Sequence, residues 1–319
     1  MNTKIFYLDE IKDALKNVDL LAPIEQGFVA YSQGKAVVPP IGELIFDKPP
    51  GDVHIKYGYI TGEDDYVVKI ASGFYENPKH DLSSSSGLML LFDQKTGKLK
   101  AILLDEGYLT NVRTAVAGAI AARYLAPTTV NRIGIIGAGI QGRKQLEYLK
   151  TVVDCRDVMA WGIDERELAA YKNDMEFFGF RITTTLSVDE IASRCNLIVT
   201  ATPSQNPLLH AGQIKNGTHI TAVGSDTPQK NELEPDILHK ADIVVADSIE
   251  QSRSRGEIYQ ARKAGLLNED DLVELGRVIA NKKLGRTRDD QISVVDLTGV
   301  VVQDIQIAKA VFRRLQNRS

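Results

Sequence analysis

Gly137, Gly139 and Gly142 follow directly on the apolar run Ile133–Ile136, and an amphipathic segment, 143–150, follows them. A GxGxxG spacing between a strand and a helix is the fingerprint of a dinucleotide-binding turn. Each glycine has a mechanical task. Gly137 makes the turn, Gly139 admits a pyrophosphate close to the backbone, and Gly142 lets the helix pack on the strand. With Ala138, Ile140 and Gln141 they form a loop whose N–H groups would hold an anion at the start of the helix. A glycine-rich turn between two core elements is the plainer alternative.

A site for NAD usually carries an acidic residue about 20 positions further on, at the end of the second strand, to bind the adenosine ribose. That strand reads at 157–161 and is followed by Gly162, Ile163 and Asp164. The expected position falls on Gly162, and the nearest carboxylate is Asp164. A carboxylate repels a 2′-phosphate, so Asp164 leans the choice toward NAD(H), whereas Arg166 argues for NADP. Asp164 also reads as a helix N-cap, because 165–178 has a helical pattern.

Four more positions stand out. Lys69 interrupts an otherwise apolar strand-like run, where a charge is costly unless paired or bound; an edge position facing water is the other reading. Arg113 lies near the start of a helix of small residues, unfavourably placed for the helix dipole. An anionic partner would relieve that, either a carboxylate ligand held by the guanidinium fork or a surface or interdomain salt bridge. Asp226 follows the strand 219–223 through Gly224 and Ser225, so it stands at a strand's carboxyl end, the edge at which ligands of parallel sheets bind. From the residues alone, a turn or helix-capping aspartate is the simpler reading. Ser84, in the run 83–86, reads either as a substrate-orienting hydroxyl or as part of a polar loop.

Elements able to position these residues are legible. From residue 132 onward strand-like runs at 132–136, 157–161, 181–185, 197–201, 219–223, 242–246 and 292–296 alternate with helical patterns. The runs are nearly all apolar, as in strands buried on both faces. Ser187 with Glu190 three residues on is a capping-box signature. The alternation predicts a doubly wound parallel sheet of the Rossmann type in an α/β fold. Residues 1–115 read differently: a helix-like stretch at 8–34, then strands at 54–59, 66–72, 88–92 and 99–104. Turn chemistry separates the strands at 49–51, 62–65 and 94–97. This is a second, mainly antiparallel α+β domain. A small-residue helix, 111–125, with Thr110 as N-cap, joins it to a domain spanning 116–301. The segment 302–319 is expected to return to the first domain.

Composition bounds the rest. The 319 residues allow two domains, and 43% hydrophobic with 25% charged is ordinary for a globular protein. A net charge of −4, with no basic cluster interleaved with aromatics, gives no support for nucleic-acid binding. Cys155 and Cys195 are isolated, which points to a reducing compartment and a cytoplasmic protein. The polar amino-terminal segment is not a signal peptide, and no apolar run has membrane-spanning length. The five histidines lack paired-ligand spacing, so no metal site is expected.

Seven segments together are similar to the ornithine cyclodeaminase/mu-crystallin family, which includes related alanine dehydrogenases and ketimine reductases. They are YVVKIASGFYENP (66–78), GLMLLFDQKTGKLKAIL (87–103), LTNVRTAVAGAIAARYLAP (109–127), IGIIGAGIQG (133–142), TATPSQNP (200–207), AVGSDTPQKNEL (222–233) and VVDLTGVVVQD (294–304). They occur in family order along nearly the whole chain. The resemblance implies a homodimer paired through the antiparallel domains, NAD or NADP as cofactor, and a substrate pocket between the domains. It makes Lys69 the active-site lysine and, with Arg113, the holder of the substrate carboxylate. Asp226 becomes the acid/base group and Ser84 a substrate contact. Thr200, Ala201, Thr202, Val223, Gly224, Ser225, Thr298 and Gly299 fall to the cofactor. One departure stands out. Family members acting on amino acids often carry an arginine after the prolines that here are Pro39 and Pro40, where this chain has Ile41 and Gly42; Lys56 is the candidate replacement.

The chemistry implied is hydride transfer at the α-carbon of an amino or imino acid. Cyclodeamination of ornithine to proline and ammonia leads. Reduction of a cyclic ketimine and oxidation of an amino acid share the same residues. A ligand-binding protein without turnover, as the name mu-crystallin suggests, is the reading from another class.

Overall fold

The structure, a computed structural model, describes residues 3–16, 18–74 and 76–317. Two compact units partition the chain: 1–113 with 300–319, and 114–299.

In the first unit, β1 (Lys4–Tyr7) leads into α1 (Leu8–Leu15) and α2 (Leu21–Ser32). The expected single helix over 8–34 is therefore two. Pro23 has no N–H and is tolerated only in a first turn, so a new helix starts at Leu21, whose N–H is taken by Asp19 Oδ1 at 2.9 Å. Six further strands follow: β2 (Ala36–Val37), β3 (Gly42–Asp47), β4 (Pro50–Ile60), β5 (Asp65–Phe74), β6 (Ser85–Asp93) and β7 (Leu99–Leu104). The sheet order is β1-β7-β6-β5-β4-β2, with β3 also on β4. All pairs are antiparallel except β1 with β7. Of these strands, β1, β2 and β3 carry too little apolar alternation to be read from sequence. Alternate residues such as Lys69, Val67, Met89, Leu91, Ala101 and Leu103 are buried, whereas Tyr57 and Tyr59 of β4 and Leu44 and Phe46 of β3 are exposed.

Next comes α3 (Tyr108–Leu125). It begins before Thr110, which is thus inside the helix and not its cap. The Asp105 carboxylate does the capping, Oδ2 accepting from Leu109 N at 2.7 Å.

In the second unit the strands are β8 (Ile133–Ile136), β9 (Asp157–Trp161), β10 (Arg181–Thr185), β11 (Leu197–Thr200), β12 (His219–Ala222), β13 (Ile243–Ala246), β14 (Leu272–Glu274) and β15 (Ser293–Asp296). Between them run α4 (Ile140–Leu149), α5 (Glu165–Phe177), α6 (Val188–Arg194), α7 (Pro235–Lys240), α8 (Gly256–Lys263) and α9 (Leu275–Ala280). The order β10-β9-β8-β11-β12-β15-β13-β14 is parallel throughout. This is the predicted doubly wound sheet, with β14, three residues long, as the strand not foreseen. Two apolar cores cover its faces, one around Ile198, Ile220 and Val294 and the other around Ile135, Val158 and Val199. α6 starts where Ser187 predicted, but the Ser187 side chain makes no capping bond; Thr185 Oγ1 takes its N–H instead.

The last helix, α10 (Val301–Gln316), belongs to the first unit and packs on α1, α2, β4 and β5. Its buried face carries Gln303, Asp304, Gln306 and Lys309 among apolar residues.

Candidate active site

Lys69 occupies a central strand and is 1% exposed, which excludes the water-facing edge position. Its Nζ lies 3.3 Å from Asp304 Oδ1 and 3.2 Å from Oδ2. Arg113, in the second turn of α3, closes on the same carboxylate, Nε to Oδ1 at 3.0 Å, and its Nη1 donates to Gln303 Oε1 at 3.1 Å. Arg113 thus makes a salt bridge, as one reading had it, but a buried one within the first unit. Burial, and then the Arg113 charge, lower the Lys69 pKa to about 8, against the opposing pull of Asp304 and Asp105. Lys56 is the cross-strand partner of Lys69 and shares its face of the sheet; it too is buried. Asp304 sits in the first turn of α10, where the helix dipole favours a carboxylate. Asp304 lies between Lys69 and Arg113 while Asp105 exerts a further pull on Lys69; an ammonium and a guanidinium brought together in this way suit an incoming carboxylate.

Ser84 is not brought to this cluster along the sheet. It precedes β6 and is five residues from Met89, the cross-strand partner of Lys69, or about 16 Å of extended chain. Its carbonyl accepts from Phe74 N at 2.8 Å.

In the second unit, the fingerprint glycines make the contacts their spacing demands. Gly137 has φ +112°, and its N–H donates to Trp161 O at 3.0 Å, joining the turn to the end of β9. A Cβ on Gly142 would lie 2.0 Å from Gly137 O. Gly139, the N-cap of α4, has open space where a Cβ would stand, and no side chain caps the helix. Uncapped amides beside open backbone fit a pyrophosphate. Ala138 is buried in the turn, while Ile140 is exposed beside it and Gln141 half-buried. Asp164 caps α5, its Oδ1 accepting from Arg166 N at 2.8 Å and Glu167 N at 3.0 Å. The end of β9 itself presents only Gly162.

The other carboxyl ends of the sheet are tied together by buried acids. Glu232 accepts from Thr200 Oγ1 at 2.8 Å, Thr202 N at 2.6 Å and Gly224 N at 2.9 Å. Ala201 N bonds Ile136 O, and Val223 N bonds Thr200 O, both at 2.9 Å. Ser225 Oγ donates to Glu257, which also accepts from Glu232 N at 2.8 Å and Leu233 N at 3.1 Å. Asp247 accepts from Thr298 N at 3.1 Å and Gly299 N at 2.7 Å. Burial raises Glu232 to about 8, helped by the neighbouring Glu257 charge, and burial raises Glu257 to about 7. Asp226 stands beyond this network, its side chain 43% exposed and Oδ1 2.6 Å from Lys230 Nζ. Its carbonyl accepts from Arg255 Nη1 at 3.2 Å. Among the described residues no group of three or more His, Cys, Asp or Glu is arranged to hold a metal ion, and no helix is long and apolar enough to cross a membrane.

Asp304, Glu232, Glu257 and Lys230 were not singled out from sequence. All but Glu257 lie inside motifs that were, VVDLTGVVVQD and AVGSDTPQKNEL. For Asp304 the available signal was a charge on the apolar stripe of an amphipathic helix.

Comparison with known proteins follows this geometry. The chain matches the ornithine cyclodeaminase/mu-crystallin family over residues 1–319. It is 40% identical over 306 residues to an uncharacterized cyclodeaminase of Sinorhizobium fredii, covering 95% of this chain and 92% of that protein. An archaeal alanine dehydrogenase, described as a dimer with bound NAD, superposes with a TM-score of 0.91 at 34% identity, covering 100% and 97%. The Δ1-pyrroline-2-carboxylate reductase of Thermococcus litoralis, in complex with NADH and L-proline, gives 0.93 at 27% identity, covering 99% and 98%.

Proposed function

The chain belongs to the ornithine cyclodeaminase/mu-crystallin family, and on that premise we propose that it moves a hydride between NAD(H) and the α-carbon of a small amino or imino acid. The observation that carries this reading is the buried Lys69–Arg113–Asp304 cluster, in which an ammonium and a guanidinium converge. A substrate carboxylate is oriented by the guanidinium fork and the ammonium together. Lys56 adds to the positive field.

What NAD(H) supplies when bound is the hydride. The fingerprint residues from Gly137 to Gly142 hold the pyrophosphate, and Asp164 is assigned to the adenosine ribose, with NADP as the alternative that Arg166 would serve. Thr200, Ala201, Thr202, Val223, Gly224, Ser225, Thr298 and Gly299 are assigned to the remainder of the dinucleotide. Asp226 exchanges a proton with the substrate nitrogen, and Lys230 Nζ, 2.6 Å from its Oδ1, holds the carboxyl in place. Residues 1–115 with 302–319 serve substrate binding and homodimerisation, and 116–301 nucleotide binding. The exposed Tyr57, Tyr59, Leu44 and Phe46 support pairing through the first unit.

Imine reduction, or its reverse, is the leading reaction. Similarity to the alanine dehydrogenase and the pyrroline-2-carboxylate reductase spans the whole chain. Conversion of ornithine to proline and ammonia is the second reading, favoured by the 40% identical cyclodeaminase. Assays decide between them. NADH oxidation with pyrroline-2-carboxylate, or with pyruvate and ammonium, is expected. Ammonia and proline from ornithine without net NADH formation would put cyclodeamination first. Failure of NADH to bind at all, followed by its fluorescence, would overturn both.

A further inference from the structure

Two buried glutamates lie under the strand ends that carry Asp226. Glu232 reaches three donors at once: Thr200 Oγ1 and Thr202 N beyond β11, and Gly224 N beyond β12. Gly224 has no room for a side chain there, since a Cβ would stand 2.2 Å from Thr202 O and 2.4 Å from Glu232 Oε2. Glu257, one position into α8, takes the Ser225 hydroxyl and the N–H groups of Glu232 and Leu233. α8 is itself anchored to the sheet, because Ile258 N donates to Asp296 Oδ2 at 2.9 Å. Carboxylates are acceptor-only when ionised. Three donors converge on each of these two; all three on Glu232, and the Ser225 hydroxyl on Glu257, come from positions already assigned.

We propose that Glu257 and Glu232 are positioning residues for the reaction. Glu257 fixes the 224–226 turn through Ser225 and so aims Asp226, whereas Glu232 fixes both that turn and the 200–202 turn on the cofactor side. The inference rests on the reading of Asp226 as the proton-exchanging group. The two glutamates therefore have separable effects. Loosening Glu257 disturbs proton exchange most and reaches the dinucleotide seat only through Ser225 and the backbone of Glu232. Loosening Glu232 disturbs both.

Three variants, Glu257→Gln, Ser225→Ala and Glu232→Gln, test this beside Asp226→Asn. The readouts are NADH dissociation constants from fluorescence, kcat with pyrroline-2-carboxylate and NADH, and amide hydrogen exchange of the 222–233 segment. Ser225→Ala removes one hydroxyl and keeps every buried carboxylate, so it reports even where a glutamate variant folds poorly. For Glu257→Gln and Ser225→Ala, kcat is expected to fall about tenfold, with a smaller loss of NADH affinity than of kcat. A double variant combining Glu257→Gln with Ser225→Ala should be no slower than Glu257→Gln alone, because both changes break the same bond. Glu232→Gln should weaken NADH about tenfold as well. Exchange in 222–233 should speed up in the glutamate variants. Unchanged kcat in Ser225→Ala, additive losses in the double variant, or equal loss of kcat and NADH affinity in Glu257→Gln would each overturn the proposal. Turnover surviving in Asp226→Asn would instead overturn the assignment on which it rests.

Discussion

Lys69 Nζ lies 3.3 and 3.2 Å from the two oxygens of Asp304, and both side chains are sealed from solvent. This pair ties a central strand to the last helix across 235 residues of sequence. Removing one member of such a pair leaves an uncompensated buried charge. Asp304→Asn is therefore expected to cost about 3–5 kcal/mol, read as a lowered midpoint in urea with an unchanged m-value. A loss within the scatter of ordinary surface changes would mean the pair contributes little.

The lowered Lys69 pKa gives a pH signature. Lys69 carries its charge below about 8 and loses it above. Carboxylate binding needs that charge, so kcat/KM for an acid substrate should decline as pH rises through this region. The decline should vanish in Lys69→Met, whose activity is low at every pH. A wild-type profile flat from pH 7 to 9 would contradict the role given to Lys69.

Asp226→Asn keeps the size of the side chain and removes its basicity. Turnover should fall by about 10²-fold or more, while NADH affinity stays nearly intact, because Asp226 stands outside the fingerprint loop. Equal loss of both would mean that the substitution disturbs the fold.

Stability should fall with rising pH across neutrality. Glu232 and Glu257 are held at about 8 and about 7, above the value they have when unfolded. Between that lower value and their folded pKa values the native state binds more protons than the unfolded chain. The slope of unfolding free energy with pH is then negative, so these groups cost the fold less at pH 5.5 than at pH 8.5. A higher Tm at the lower pH is expected, and a smaller difference in Glu232→Gln.

Gly142→Ala places a methyl 2.0 Å from Gly137 O. α4 must then retreat from β8, and the amides aimed at the pyrophosphate move with it. NADH affinity is expected to fall by more than about tenfold, as followed by fluorescence.

Much of this architecture was legible because its signals are local. The nearly all-apolar strands from 133 to 296 and the glycine spacing of 137, 139 and 142 announce a buried parallel sheet and its turn, and the structure has both. Short strands such as Lys4–Tyr7 and Leu272–Glu274 escaped, since three or four residues hold too little periodicity. The cap of α3 was misread for a related reason. Thr110 is a good cap by residue type, but Asp105 reaches Leu109 N first. Asp304 and Glu232 illustrate a deeper limit. Their importance comes from partners 235 and 32 residues away, and no window of sequence contains both ends of such a contact.

The position of α10 has a consequence for biosynthesis. Residues 114–299 are contiguous and can close up as soon as they leave the ribosome, while the amino-terminal piece waits with Lys69 and Arg113 already committed to its interior. Their counter-ion is encoded at residue 304, after the whole of the second unit. A nascent chain arrested short of residue 301 holds two interior cations and no anion from α10, so the first unit cannot balance those charges until the second has been made.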